Sequence, residues 1–253
     1  MTLNPYLENL NRIEFIITYA CTGRCKHCSV GEGNNLALSI DKSIAVSAVL
    51  DTARLYDIKS VMTFGGEPLL YPDTVCAIHS AARDAGIPHR QLITNGFFSK
   101  DKKRIKQVAF DLADSGVTDL RLSADAFHQE VIPLECVKEF GFWVKKAGIN
   151  VHSQPAWLQS PKADNPYNKI TRAVLNELAE LGIEECEGNV VFPQGNALKY
   201  LSEYFDKDAA ACNPYEEDPA APRTASIEPD GTVFGGNLYT ENIESIFKKY
   251  LFL

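Results

Sequence analysis

Short apolar runs bounded by turn residues alternate along most of the 253-residue chain with longer segments whose apolar positions recur every three or four residues. The first pattern is that of strands and the second that of amphipathic helices. Strands are expected at 12–18, 60–64, 90–94, 119–123, 150–154 and 189–192, and helices near 41–56, 72–85, 100–115, 130–147 and 167–181. Gly86, Gly116, Gly148 and Gly182 each stand just past the last periodic position of a helix, where a stop signal belongs. Strands that alternate with helices in this way predict an α/β fold with a parallel sheet and right-handed crossovers. Six such units are fewer than the eight of a closed barrel, so the sheet is either open and doubly wound or an incomplete barrel.

Beyond residue 192 the pattern changes. Residues 193–195 break the chain, 196–205 are compatible with a helix, and 209–223, rich in Ala, Pro, Asp and Glu, read as a loop. Residues 226–234 have the form strand, Pro229-Asp230-Gly231 turn, strand, which predicts a hairpin. A last helix is expected at 242–250. The expected division is a main unit at 1–197 and a short hairpin-plus-helix extension at 198–253.

Composition narrows the function. Hydrophobic residues are 45% and charged residues 23%, enough apolar material for a packed core. The net charge of −8 is a poor match for a nucleic-acid backbone, whose binding draws on Lys and Arg. No run of about 18 apolar residues suggests a membrane span, and the N-terminus lacks the basic start and apolar run of a secretory signal. Seven cysteines, an odd number in a chain too long for a disulfide scaffold, favour a reducing cytoplasm with cysteines as metal ligands or core fillers.

Three of those cysteines form the chemical centre of the sequence. Cys21, Cys25 and Cys28 have the spacing C-x3-C-x2-C directly after the first expected strand, where α/β sheets place their sites. Three thiolates hold three corners of a [4Fe–4S] cubane and leave one iron open, whereas four would saturate it. The alternative is a zinc site of three cysteines and His27; His27, between two ligands, is cramped for binding the same ion.

The triplet resembles the signature of the radical S-adenosylmethionine (radical SAM) superfamily, and the resemblance extends along the chain. Phe64-Gly65-Gly66-Glu67-Pro68 resembles the family's GGEP motif, Thr94-Asn95-Gly96 its TNG, Ser123-Ala124-Asp125 its S-x-D, and Gln194-Gly195-Asn196-Ala197 a G-R-A element of some members. Each follows an expected strand, in order, over residues 12–197. The resemblance implies a partial (β/α)6 barrel, TIM-like but incomplete. It implies a [4Fe–4S] cluster and S-adenosylmethionine as cofactors, and hydrogen-atom abstraction from the substrate as the activity. It assigns the methionine amino group to the stretch Gly65, Gly66, Glu67 and Pro68, and the methionine carboxylate and ribose hydroxyls to Ser123 and Asp125. Thr94, Asn95 and Val191 join the cofactor-binding set, and His27 takes a position near the adenine that is commonly aromatic. The clamp expected from an Arg at position 196 is missing.

Each assignment has a plainer reading beside it. GGEP is also a turn with Pro68 opening a helix, Ser123 and Asp125 are good helix N-caps, and Thr94-Asn95-Gly96 is also a strand-end turn. His128, His152, Gln154 and Trp157 are candidate substrate or proton-transfer residues on the later strand ends, although His128 can simply cap a helix and Trp157 fill a core. The 226–234 segment resembles the hairpin of a SPASM-type extension, but Cys212 alone cannot hold a second cluster. A single cluster with a cysteine-poor remnant of that extension is therefore expected. Cys76, Cys136 and Cys186 are expected to be buried small apolar residues. Peptide modification leads among substrates on the hairpin resemblance, with a small metabolite as the alternative. A flavodoxin or ferredoxin is the electron donor that the resemblance implies.

Overall fold

The computed structural model describes residues 4–31, 38–206 and 213–251. In chain order its strands are β1 (Arg12–Ile16), β2 (Ser60–Phe64), β3 (His89–Thr94), β4 (Asp119–Leu122), β5 (Asn150–Ser153), β6 (Ala156–Trp157), β7 (Glu184–Glu185), β8 (Asn189–Val190), β9 (Thr224–Ile227), β10 (Thr232–Val233) and β11 (Gly236–Asn237). Its helices are α1 (Lys42–Leu55), α2 (Pro72–Asp84), α3 (Lys102–Ser115), α4 (Ala126–Gln129), α5 (Leu134–Lys146), α6 (Pro166–Ala179), α7 (Asn196–Tyr200) and α8 (Ile243–Lys249). The main sheet runs β7-β5-β4-β3-β2-β1-β9 with every pairing parallel, and its ends do not close on each other. This is the incomplete barrel. No helix among the described residues is long and apolar enough to cross a membrane.

The helices begin and stop where the sequence predicts, for local reasons. Asp41 caps α1 by accepting from the Ser43 and Ile44 amides, and Asp101 caps α3 through the Lys103 amide. The four predicted stop glycines all have a left-handed φ, as Gly116 does at +93°. One prediction fuses two elements. The helix expected at 130–147 begins at Leu134, because Pro133 ends the preceding turn, and a separate short helix, α4, precedes it.

Two strand predictions need correction. The sixth strand, expected at 189–192, does not enter the main sheet, whose edge is formed instead by the earlier residues 184–185. Pro155 cuts β5 from β6, and opposite it Gly188 turns at φ +74°, where an added Cβ would lie 2.4 Å from the Pro155 carbonyl. The edge is therefore split: β7 continues the main sheet, while β8 pairs with β6 in a separate two-stranded sheet. At the C-terminus the Pro229-Asp230-Gly231 turn forms, with Glu228 N–H bonded to the Thr232 carbonyl at 3.0 Å. The strand before it, however, pairs in parallel with β1, and the antiparallel ladder is β10 with β11. Local turn signals carry no information on which distant edge a strand joins. The 198–253 segment thus supplies a strand of the central sheet, and α8 packs near α1 with Phe247 edge-on to Tyr56 at 5.5 Å.

The two faces of the sheet differ. Phe15, Leu92, Leu120 and Val151 point outward under the helices and are buried in one large apolar core. The opposite positions form a row in register across the sheet, Ser226, Glu14, Met62, Gln91, Asp119 and Asn150, and most of them are polar. A parallel sheet covered on both faces reads as nearly continuous apolar strands. Here the concave face is mostly polar and only partly buried, so it is not packed against a second apolar core.

Candidate active site

The loop carrying the three cysteines is gripped between two other loops, largely by main-chain atoms. From one side, Gly66 N–H bonds to the Thr18 carbonyl at 2.7 Å and Glu67 N–H to the Ala20 carbonyl at 2.8 Å. The approach is so close that a Cβ on Gly66 would lie 2.2 Å from the Ala20 oxygen, and one on Gly65 2.6 Å from the Thr18 oxygen. The paired glycines are needed here for contact with the cysteine loop itself, whatever they also do for a ligand. From the other side, Asn196 N–H bonds to the Cys28 carbonyl at 2.9 Å and its Nδ2 to the Cys25 carbonyl at 3.1 Å. Where an Arg was expected, Asn196 is a buried brace of the metal-ligand loop. Sequence reasoning missed this role, because only the departure from the motif was visible there.

Cys25 is buried, Cys28 half-buried and Cys21 exposed. Gly23 lies between two of the sulfurs: a Cβ there would be 3.3 Å from Cys25 Sγ and 3.6 Å from Cys21 Sγ. A side chain in that gap would crowd both thiolates. Desolvation pushes the Cys21 thiol up to about 11, against the pull of the Gly23 N–H. Metal binding at this loop must therefore displace protons. Three soft thiolates on one short loop are the donor set of a site-differentiated cluster, so the residues fit a [4Fe–4S] group.

The predicted binding residues divide into groups that the sequence could not separate. The Glu67 carboxylate is buried and turned toward the strand ends, accepting from Leu69 N–H at 2.9 Å, Thr94 Oγ1–H at 2.7 Å and Asn95 N–H at 2.9 Å. Burial pushes its pKa up to about 7, against the pull of those three donors. Pro68 opens a short 3-10 helix after Glu67, the plainer reading of that motif. Thr94 is spent on Glu67 and on the Gly96 N–H, whereas Asn95 turns toward Cys21 and Thr22. Val191 is buried beside Cys25 and Phe127 in a second, smaller apolar cluster.

Asp125 does not face an open site. It is wholly buried, accepting from the Phe127, His128 and Ala156 amides and pairing with His128 Nδ1 at 2.8 Å. Burial alone would raise its pKa, yet His128 beside it holds it well below the usual carboxylate range. Burial likewise opposes a charge on His128, but Asp125 and then Cys25 raise its pKa well above the ordinary value. His128 therefore faces the cysteine loop, and Cys25, His27 and His128 bring one ligand atom each within 4.8 Å of one another. No other such group of His, Cys, Asp or Glu occurs among the described residues. The His27 ring lies 4.9 Å from those of Phe127 and His128, its Nδ1 has no partner, and burial pushes it down to about 4.

The remaining candidates lie on the later strands. Ser123 and Arg121 share the concave face, which settles their relative orientation: both are half-buried while Leu120 and Leu122 are buried behind them. Arg121 donates to Asp119 at 3.2 Å and to Gln154 Oε1 at 3.2 Å, and His152 stands 3.9 Å from Asp119. Gln154 and His152 thus join the polar groups of the concave face. Trp157 does not: it is 2% exposed, with its Nε1 bonded to the Glu187 carbonyl and Arg172 stacked on its ring, so it is a core aromatic. The concave face also holds Arg12, bonded to Glu14, Gln91 and Met62, which sequence reasoning overlooked. The signal was present, as a charged residue at every second position of a strand in a parallel sheet. Cys76, Cys136 and Cys186 are half-buried and not fully enclosed as expected, and Cys212 lies outside the described residues.

Comparison with known proteins gives the family and the fold. The family model of the radical SAM superfamily matches residues 15–192. A probable GTP 3′,8-cyclase of Saccharolobus islandicus is 26% identical over 213 residues, 78% of this chain and 65% of that protein. A probable GTP 3′,8-cyclase of Sulfolobus acidocaldarius is 29% identical over 118 residues, 47% of this chain and 35% of that protein. The chain thus spans less than two thirds of the length of these relatives. Among solved structures, Streptococcus suis SuiB bound to S-adenosylmethionine matches with a TM-score of 0.61 at 13% identity, over 96% of this chain and 66% of that one. Native anSMEcpe with bound AdoMet matches with a TM-score of 0.60 at 12% identity, over 94% and 80%. At these identities the structural likeness is one of fold.

Proposed function

The chain belongs to the radical SAM superfamily, and from that premise we propose that it is an enzyme acting on a small polar metabolite seated against the concave face of its sheet. Its cofactors are a [4Fe–4S] cluster and S-adenosylmethionine. Cys21, Cys25 and Cys28 would hold the cluster, with Gly65, Gly66, Ser123 and His27 around the sulfonium ligand. When bound, these groups supply a 5′-deoxyadenosyl radical that takes a hydrogen atom from an unactivated carbon of the substrate.

The protein's own contribution is positional. The two flanking loops hold the cysteine backbone in place, and Phe127, Val191 and Leu158 keep water from Cys25. Arg121, Gln154 and His152 orient a substrate from beneath, so that one C–H faces the mouth of the sheet. Glu67 and Asp125, whose carboxylates are engaged inside the protein, brace this geometry.

The observation that carries the substrate class is the polar row across the concave face. The curated relatives, named as acting on GTP, support the same class. A peptide is the second reading: SuiB, of similar fold, has been solved with a precursor peptide. The C-terminal stretch is read as a remnant of an extension that carries no auxiliary cluster. The electron donor is expected to be a flavodoxin or ferredoxin, and the setting the cytoplasm.

The test is anaerobic reconstitution with iron and sulfide, followed by dithionite and S-adenosylmethionine, with mass spectrometry for 5′-deoxyadenosine. The wild type should bind about four irons and form the product, and a Cys25→Ala variant should form none. Tight zinc binding in place of iron, through Cys25, His27 and His128, would sink the reading.

A further inference from the structure

We propose that Asn95 sets the reduction potential of the cluster by donating a side-chain N–H to the sulfur of Cys21. The proposal rests on the assignment of Cys21 as a cluster ligand.

The orientation of the Asn95 amide is fixed by its neighbours. Its Oδ1 accepts the Phe97 N–H at 2.8 Å, which makes that end the oxygen. The opposite end, Nδ2, then lies 3.1 Å from Thr22 Oγ1 and 3.5 Å from Cys21 Sγ. Its two hydrogens serve two acceptors, one of them the thiol. The backbone is held as well, since Asn95 N–H is bonded to the buried Glu67 carboxylate at 2.9 Å. The donor is therefore presented by a residue braced at three points.

The setting of the sulfur makes this donor matter. Cys21 is the exposed cysteine of the triplet, and a second N–H, from Gly23, approaches its Sγ at 3.3 Å. Adding an electron to an iron–sulfur cluster raises the negative charge on its thiolates. A donor aimed at a thiolate stabilises the reduced state more than the oxidised one, so it moves the potential upward. Asn95 is thus a positioning and tuning residue that acts through Cys21 and not on substrate.

The experiment is a redox titration of the reconstituted enzyme, followed by the electron paramagnetic resonance signal of the reduced cluster. Wild type is compared with Asn95→Asp, Asn95→Leu and Thr22→Val. Asn95→Asp keeps the acceptor for Phe97 and removes the donor, and Asn95→Leu removes both without adding charge. Thr22→Val removes the other acceptor of the amide and leaves the N–H···S contact. The potential should move to more negative values in both Asn95 variants, further in Asn95→Asp, and hold its wild-type value in Thr22→Val. An unshifted Asn95→Leu, or an equal shift in Thr22→Val, overturns the proposal. If Asn95→Leu takes up no iron, the smaller Asn95→Ser, which removes the amide donor without adding charge, takes its place, and an unshifted potential there refutes the tuning role. A wild type without four irons and without the signal would instead be a failure of the cluster assignment.

Discussion

Replacing Gly66 by alanine should unseat the cysteine loop. The added Cβ would stand 2.2 Å from the Ala20 oxygen and 2.7 Å from both the Ala20 carbonyl carbon and the Tyr19 oxygen. All three atoms are main chain, so no rotamer change relieves the clash, and the two segments must move apart. Separation sacrifices the Gly66–Thr18 and Glu67–Ala20 hydrogen bonds. Each is worth about 0.5–1.5 kcal/mol net, and residual overpacking adds about 1–3 kcal/mol. A loss of roughly 2–6 kcal/mol corresponds to a melting temperature lower by roughly 4–24 °C for a chain of this size. Gly86→Ala is the control. Gly86 has a left-handed φ of +77° but no atom within 4 Å of its added Cβ, so it should cost only about 1–2 kcal/mol and leave the site intact. Thermal melting in the metal-free state, together with iron per chain after reconstitution, checks both. A Gly66→Ala protein that melts no lower than Gly86→Ala and binds the wild-type complement of iron would refute the account of the paired glycines.

Asn196→Ala should leave the Cys25 carbonyl without its 3.1 Å donor, costing about 1–3 kcal/mol and slowing cluster retention, as read by iron release to a chelator. Glu67 predicts a pH dependence. Its pKa is raised from 4.5 to about 7 on folding, so the folded state holds a proton that the unfolded state gives up. Its stabilising contribution is complete below about pH 4.5 and declines as the pH rises toward 7. Urea melts across that range should show the wild type losing stability relative to Glu67→Gln, and parallel curves would refute the burial argument.

The sheet was legible because its cause is local. A strand such as 119–122 alternates apolar residues with polar ones, and a glycine such as Gly116 just past the last periodic position marks the end of a helix. The parts that were not legible depend on distant partners. Nothing within Thr224–Ile227 says that its edge belongs to Arg12 and Phe15, over two hundred residues earlier. The split of β7 from β8 follows from Pro155 facing Gly188, two residues that are neighbours only in space. The site divides in the same way. The cysteine triplet and each strand-end motif occur where the sequence predicts, yet the direction of the acidic side chains was hidden. Glu67 bends back onto Thr94 and Asn95, and Asp125 turns beneath His128, because unsatisfied amides at neighbouring strand ends wait there for an acceptor.

These carboxylates bear on how such motifs should be interpreted. A strand-end motif in this fold can bind a ligand directly or hold the loop that does. In this chain three side chains make contacts that serve the second role. Glu67 cross-links the loops after β2 and β3. Asp125 fixes α4 and the His128 ring beside Cys25. Asn196 holds the far end of the cysteine loop. Under the proposed function, direct contact with the sulfonium ligand would fall to Ser123 on the inner face of β4 and to the backbone around Gly65. A buried carboxylate already engaged by three donors contributes most by keeping the ligand set in register. Rigidity of this kind suits radical chemistry, in which a small displacement of the cysteine loop would misplace the reacting carbon.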